Sequence, residues 1–310
     1  QPDYADPSRF TEKDVTIGEG KWKLPGTLTL PTGKGPFPAV VLVHGSGPSD
    51  RDETIGPNKP FKDIAWGLAT EGIAVLRYSK RTYQYPGELT SIEYPTVYDE
   101  TIEDALAAVE ACRGFENIQE ERIYVLGHSL GGMLLPRIYR GDREISGLIG
   151  MAPPAGNLVA QILMQVKYLA ELDSVVTEEE KKNIEETIKI VDRIKDPNFD
   201  PDTPEEELLG EPGSYWKDLN DYDQLKMARE IDAPMLLLQG ERDYQVTMKD
   251  FQAWRSTLES EEDIEFITYP SLNHLFTPGE GKSSPSEYYL ASNVSEKVIK
   301  DIALWIEQKR

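Results

Sequence analysis

Ile123-Tyr124-Val125-Leu126-Gly127-His128-Ser129-Leu130-Gly131-Gly132 is the stretch from which the rest of the chain is read. Its continuous apolar run at residues 123–126 predicts a strand buried on both faces of a parallel sheet. G-x-S-x-G follows, and the residues beyond it predict a helix. The pentapeptide alone is a modest signal, and its placement between strand and helix is what gives it weight. A serine on so tight a turn needs glycine two residues before and after it, because a side chain at either place would strike the neighbouring strand or helix. Gly127 and Gly131 meet that need. Ser129 is therefore the candidate nucleophile, the competing reading being a serine that caps a helix behind a glycine turn. Pro136 falls in the second turn of that helix, removes a backbone donor and predicts a kink.

Similar runs lie on either side. Ala39-Val40-Val41-Leu42-Val43 ends at His44-Gly45, and residues 73–76, 147–150, 235–238 and 264–269 continue the series. Helix signals fill the intervals. Pro60 stands at the start and Gly72 past the end of one helix, a second spans about 98–111, and the last runs from about 293 to 308. Such alternation predicts a mostly parallel, doubly wound α/β sheet, and residues 15–18 and 26–30 predict an antiparallel hairpin leading into it.

The alternation breaks between about 153 and 232. Two helix patterns occur there, one with Leu158, Val159, Ile162, Leu163, Val166 and Leu169 on a stripe. The other begins at a capping box, Thr177 with Glu180, and presents Ile184, Ile188, Val191 and Ile194. An irregular stretch with Pro197, Pro201, Pro204 and Pro212 comes next. The expected organisation is a core of residues 1–152 and 233–310 with a helical cap, 153–232, inserted after the fourth parallel strand. The cap stripe is expected to pack within the cap, with lining of an acyl pocket as the alternative.

A serine at its free pKa is a poor nucleophile and requires a base. The chain has three histidines. His128 adjoins the serine and should point away from it, and His44 ends the first parallel strand. That leaves His274, which follows the last strand in Ser271-Leu272-Asn273-His274-Leu275-Phe276, where a loop can bring imidazole over the carboxyl edge of the sheet. In hydrolases with this elbow the acid lies between serine and histidine in chain order. Gln239-Gly240-Glu241-Arg242-Asp243 offers Asp243, with Glu241 as local competitor and a simple ion pair with Arg242 as the non-catalytic reading. A tetrahedral oxyanion needs preorganised donors. The backbone N–H groups of Leu130 and of Ser46, in His44-Gly45-Ser46-Gly47, are the candidates. Asp50-Arg51-Asp52 is expected to brace that loop by ion pairing.

Lys and Arg number 33 against 55 Asp and Glu, a formal net charge of −22, and such a surface repels phosphate backbones. Nucleic acid is not expected as a partner, and no apolar run approaches the length of a membrane span. With one cysteine, Cys112, no intrachain disulfide or cysteine-based metal site is available, and a small buried hydrophobe is its expected role. Neither metal nor organic cofactor is expected. The start at Gln1 suggests that upstream sequence was removed, and localisation is left open, leaning to extracytoplasmic.

With these residues placed, the chain resembles bacterial α/β-hydrolases of the dienelactone-hydrolase-like and cinnamoyl or feruloyl esterase-like groups. The resemblance rests on Leu24-Pro25-Gly26-Thr27-Leu28, the HGSGPSDRDE stretch at 44–53, Gly56-Pro57-Asn58-Lys59-Pro60-Phe61, GHSLGG at 127–132, QGERD at 239–243 and NHLF at 273–276. It implies the α/β-hydrolase fold and a serine carboxylesterase acting on small to medium acyl or aryl esters. Related groups also include thioesterases and prolyl-oligopeptidase-like peptidases. Dienelactone hydrolases themselves use a cysteine nucleophile, and Ser129 in that place argues against that activity. A serine peptidase and a noncatalytic hydrolase-like binding protein are the competing functions.

Overall fold

Val40 and Leu42 belong to one apolar core and Val41 and Val43 to another, and all four are fully buried. That division follows from the two-residue period of a strand covered on both faces. Burying each such side chain contributes about 1.5–3 kcal/mol. The computed structural model describes residues 1–309. Among these, one sheet contains β1 (Phe10–Ile17), β2 (Leu24–Pro31), β3 (Phe37–Val43), β4 (Ala74–Tyr78), β5 (Ile118–His128), β6 (Gly147–Met151), β7 (Met235–Gly240) and β8 (Ile264–Tyr269). Their order is β1-β2-β4-β3-β5-β6-β7-β8. The last six strands are mutually parallel, and the hairpin β1–β2 joins β4 antiparallel, as the sequence predicts.

The helices are α1 (Pro60–Thr70), α2 (Arg81–Gln84), α3 (Glu103–Arg113), α4 (Leu130–Met133), α5 (Leu135–Gly141), α6 (Leu158–Ala170), α7 (Glu178–Ile194), α8 (Gly213–Asn220), α9 (Gln224–Ala228), α10 (Met248–Leu258) and α11 (Glu296–Gln308). Phe61, Ile64 and Leu68 of α1 pack with Val298, Ile302 and Ile306 of α11 against one face of the sheet. Ala105, Val109 and Cys112 of α3 pack on the other. Cys112 is buried, and burial pushes its thiol up to about 12. It is an inert core residue.

Three helix expectations are corrected. The helix after Ser129 is divided between α4 and α5, with Leu134 at φ −88° and ψ −5° at the junction and Pro136 in the first turn of α5. Proline has no N–H to bond back and so starts a new helix instead of bending the old one. The helix expected over 98–111 opens with a π-helical turn, Tyr98–Ile102, before α3. The final helix starts at Glu296, because Asn293 and Val294 are held by the carboxylate of Asp63.

Residues 153–232 contain no strand among the described residues, and hold four helices where two were expected. The Thr177–Glu180 capping box is formed at α7, and Asn157 caps α6 through the amides of Val159 and Ala160. Helix α8 begins inside the proline-rich stretch read as irregular, directly after Pro212. The α6 stripe is split between two tasks: Val159 is buried in the core, while Leu158 and Ile162 line a cleft. The expectation that the whole stripe packs internally is corrected accordingly. No helix among the described residues is long and apolar enough to cross a membrane.

Candidate active site

The loops after β3, β5, β7 and β8 all leave the carboxyl edge of the sheet and meet at one cleft. It has a volume of about 280 Å³. Ser46, Ser129 and His274 line it, with Leu158, Ile162, Leu209, Tyr215 and Trp216 as its apolar wall.

Ser129 sits between β5 and α4 at φ 52°, ψ −118°. A non-glycine residue there is strained, and the surroundings must hold it. The Ser129 amide donates to the Met151 carbonyl at 2.9 Å. A Cβ on Gly127 would lie 2.3 Å from the carbonyl of Gly131, and one on Gly131 would lie 2.4 Å from the carbonyl oxygen of Val43. The two glycines thus permit the close approach on which the turn depends.

His274 is buried, and its Nδ1 donates to Asp243 Oδ2 at 2.6 Å. That bond leaves Nε2 as the ring nitrogen with a lone pair. Asp243 is itself fixed: Oδ1 accepts from the amides of Gln245 (2.8 Å) and Val246 (3.0 Å), and Oδ2 accepts from Gln239 Nε2 at 3.2 Å. The competing carboxylate, Glu241, is turned to the surface, where it accepts from the Thr268 hydroxyl at 2.7 Å. Arg242 pairs with Glu287, not with Asp243.

Ser46 lines the same cleft as Ser129, and Leu130 follows Ser129 as the first residue of α4. Among the described residues neither amide donates to a protein acceptor. Asp50-Arg51-Asp52 braces this loop as expected: Arg51 pairs with Asp14 at 2.9 Å, and Asp52 pairs with Arg77 at 2.9 Å and Lys59 at 3.0 Å. His44 is packed against Phe61 and Tyr78, and its Nε2 donates to the Asp50 carbonyl at 2.9 Å. Burial pushes its imidazole down to about 4, so it stays neutral.

Sequence reasoning missed Glu53. Its buried carboxylate accepts from the Gly45 amide through Oε1 and from His128 Nδ1 through Oε2, each at 2.9 Å. His128 Nε2 in turn donates to the His274 carbonyl at 2.9 Å. The His274 carbonyl can only accept, and the Glu53 carboxylate accepts as well, an arrangement that favours protons on both ring nitrogens of His128. Burial opposes that charge, but the Glu53 carboxylate outweighs it and raises the His128 pKa. Burial likewise opposes the Glu53 charge, and the His128 charge and hydrogen bond, with the Gly45 amide, outweigh it and lower the Glu53 pKa. Nothing in the linear spacing of HGSGPSDRDE shows that its last acid reaches His128.

Glu211 was also missed. It lines the cleft beside Tyr215, and no donor pairs with its carboxylate among the described residues. Burial, with Glu100 adding to it against the opposing pull of Lys80, pushes its pKa up to about 7. No cluster of three His, Cys, Asp or Glu side chains able to hold a metal occurs among the described residues.

Residues 36–281 match the model of the family described as serine aminopeptidase, S33. Over 305 residues the chain is 46% identical to the esterase EstD of Thermotoga maritima, covering 98% of this chain and 69% of EstD. The structure of the Pyrococcus furiosus esterase Pf2001 superposes with a TM-score of 0.61 at 20% identity, covering 96% of this chain and 91% of that one. Est1E of Butyrivibrio proteoclasticus superposes with a TM-score of 0.60 at 17% identity, covering 95% and 99%.

Proposed function

The chain belongs to the serine aminopeptidase S33 family, and from that membership and the geometry of the cleft we propose that it is a serine carboxylesterase acting on small to medium acyl or aryl esters. Its fold is the α/β-hydrolase fold expected from the sequence. The observation that carries the proposal is the buried Asp243–His274 bond, with His274 and the strained Ser129 facing one cleft. Ser129 Oγ attacks the ester carbonyl while His274 Nε2 takes its proton. Asp243 holds the tautomer and stabilises the imidazolium that forms. The amides of Ser46 and Leu130 receive the oxyanion, each worth roughly 3–4 kcal/mol. His274 then protonates the departing alkoxide, leaving an acyl-enzyme. Water, deprotonated by His274, attacks the acyl carbon, and the collapsing intermediate releases the acid and free Ser129.

Residues 153–232 act in this reading as a cap on the core formed by 1–152 and 233–310, supplying Leu158, Ile162, Leu209, Tyr215 and Trp216 to the acyl or alcohol pocket. An aminopeptidase would need paired free acids for a substrate amino terminus. Among the described residues two acids line the cleft, and of these Glu53 is already committed to Gly45 and His128, which leaves Glu211. That arrangement favours a neutral ester over an aminoacyl amide. The test is hydrolysis of short p-nitrophenyl esters: Ser129→Ala abolishes it in folded protein and also abolishes labelling by a fluorophosphonate. Undiminished turnover in that variant, or faster cleavage of aminoacyl amides than of esters by the wild type, overturns the proposal.

A further inference from the structure

Lys80 is only 1% exposed, yet it carries a charge that the triad does not use. It stands two residues past β4, directly before α2, and its amide donates to the Ser49 carbonyl at 2.9 Å, tying that connection to the loop after β3. Its Nζ donates to the carbonyl oxygen of Gly45 at 2.9 Å. The same nitrogen lies 2.5 Å from Glu100 Oε1 in a contact of opposite charges, and Glu100 is only 2% exposed. Glu100 Oε2 accepts from the Tyr215 hydroxyl at 3.1 Å, so the pair is anchored to helix α8, which walls the cleft.

The carbonyl of Gly45 and the amide N–H of Ser46 belong to one peptide unit. That unit is trans and planar, so its C=O and N–H point in opposite directions. Fixing one end of the plane fixes the other. Glu53 meanwhile holds the preceding amide, that of Gly45. Both peptide planes of the turn are thereby set by buried ionic groups before any substrate arrives, while the adjacent Gly47, at φ 79°, lets the chain turn away. A cation on a peptide oxygen also draws electron density from nitrogen through the amide resonance, which makes the N–H a stronger donor.

We infer that Lys80, held by Glu100 and Tyr215, is a positioning residue that orients and polarises the Gly45–Ser46 peptide, so that the Ser46 N–H is ready for the oxyanion. This rests on the esterase reading and on Ser46 as an oxyanion donor. Burying Lys80 with Glu100 is costly unless geometry repays it, and an apolar pair of like volume would serve stability as well. A role in the transition state accounts for an ion pair at this place.

The test is Lys80→Met, together with Lys80→Met/Glu100→Gln, which removes both charges and spares the fold an unpaired buried carboxylate. Turnover of p-nitrophenyl esters and inhibition by an alkyl boronic acid, which forms a tetrahedral adduct with the serine, are measured in each. In the folded double variant kcat falls roughly 10²-fold, as for loss of one oxyanion donor, with KM within about threefold of wild type. Boronate affinity falls by the same factor as kcat/KM, and affinity for the product alcohol does not change. Wild-type kcat and boronate affinity in the double variant overturn the inference. So does a fall in which KM and product-alcohol affinity change as much as kcat, since that marks general disruption. If Ser129→Ala leaves turnover intact, the esterase reading itself fails, whereas loss in Ser129→Ala with no effect at Lys80 sinks the inference alone.

Discussion

The imidazole of His128 reaches from the nucleophile turn to the base loop: its Nε2 lies 2.9 Å from the carbonyl oxygen of His274, and the two rings are 4.7 Å apart between centroids. Through Nδ1 it also grips Glu53, which grips Gly45. One buried ion pair therefore ties together the loops after β3, β5 and β8, from which the candidate oxyanion donor, nucleophile and base are drawn. The residue read in the sequence as merely pointing away from the serine is the hub of the site.

Removing that hub leaves the Glu53 carboxylate buried without its cation. His128→Leu should destabilise the fold by about 3–5 kcal/mol, whereas Glu53→Gln, which keeps a hydrogen-bonding partner for both neighbours, should cost far less. Urea unfolding of the two variants checks the difference. Equal costs would mean that the charge pairing contributes nothing.

The pair also sets a pH window for stability. Glu53 is held below its ordinary value of 4.5, so its contribution is complete above 4.5 and is lost as pH falls through its folded-state value. His128 is held above its ordinary 6.5, so its contribution is complete below 6.5 and is lost as pH rises through its folded-state value. Both are in full force between 4.5 and 6.5. Melting temperatures across pH should show a wild-type maximum there that flattens in Glu53→Gln, and parallel profiles would refute the linkage.

Asp243 receives two amides and a glutamine besides His274, so Asp243→Asn can keep its place. Its amide nitrogen would present a donor to Nδ1 and favour the wrong tautomer. A fall in kcat of roughly 10⁴-fold with little change in melting temperature is expected. Loss of less than tenfold would point to a different acid.

Glu211 should be visible in KM. Its pKa is pushed up to about 7, first by burial and then by Glu100. Below that pH the cleft wall is an uncharged carboxyl, and above it a carboxylate that an apolar ester must desolvate. For a neutral ester KM should rise as pH passes 7, and Glu211→Gln should hold it at the low-pH level. A KM step that survives in the variant assigns the effect elsewhere.

Gly131→Ala places a Cβ 2.4 Å from the Val43 carbonyl oxygen, a contact with backbone that cannot swing aside. A loss of about 1–3 kcal/mol is expected from the displacement of β3 or α4, with a larger fractional loss of turnover than of stability. Calorimetry and esterase rates on the same preparation check this. Wild-type behaviour would remove the close-approach argument for the elbow.

Much of the fold was legible because its signals are local. A continuous apolar run marks a doubly covered strand wherever it occurs, and Thr177 with Glu180 marks a helix start from three residues' separation. Ser129, Asp243 and His274 stand out as candidates for a related reason: each lies in a short loop after a strand, and few alternatives exist in a chain with three histidines. Helix α8 was hidden because prolines dominate its approach and a buried apolar face, Tyr215, Trp216 and Leu219, decides it instead.

The sequence by itself determined the parallel sheet, the glycine-framed turn at Ser129 and the residue types available for acid, base and nucleophile, since these depend on periodicity and on steric limits at single positions. Tertiary structure alone decided that Glu53 and His128 are buried partners, that Lys80 holds the Gly45 carbonyl, and that Glu211 stands in the cleft. Glu53 and His128 are separated by 75 positions. The cost of burying a charge is met only by the particular partner that the folded chain delivers, and no local pattern records which partner that is.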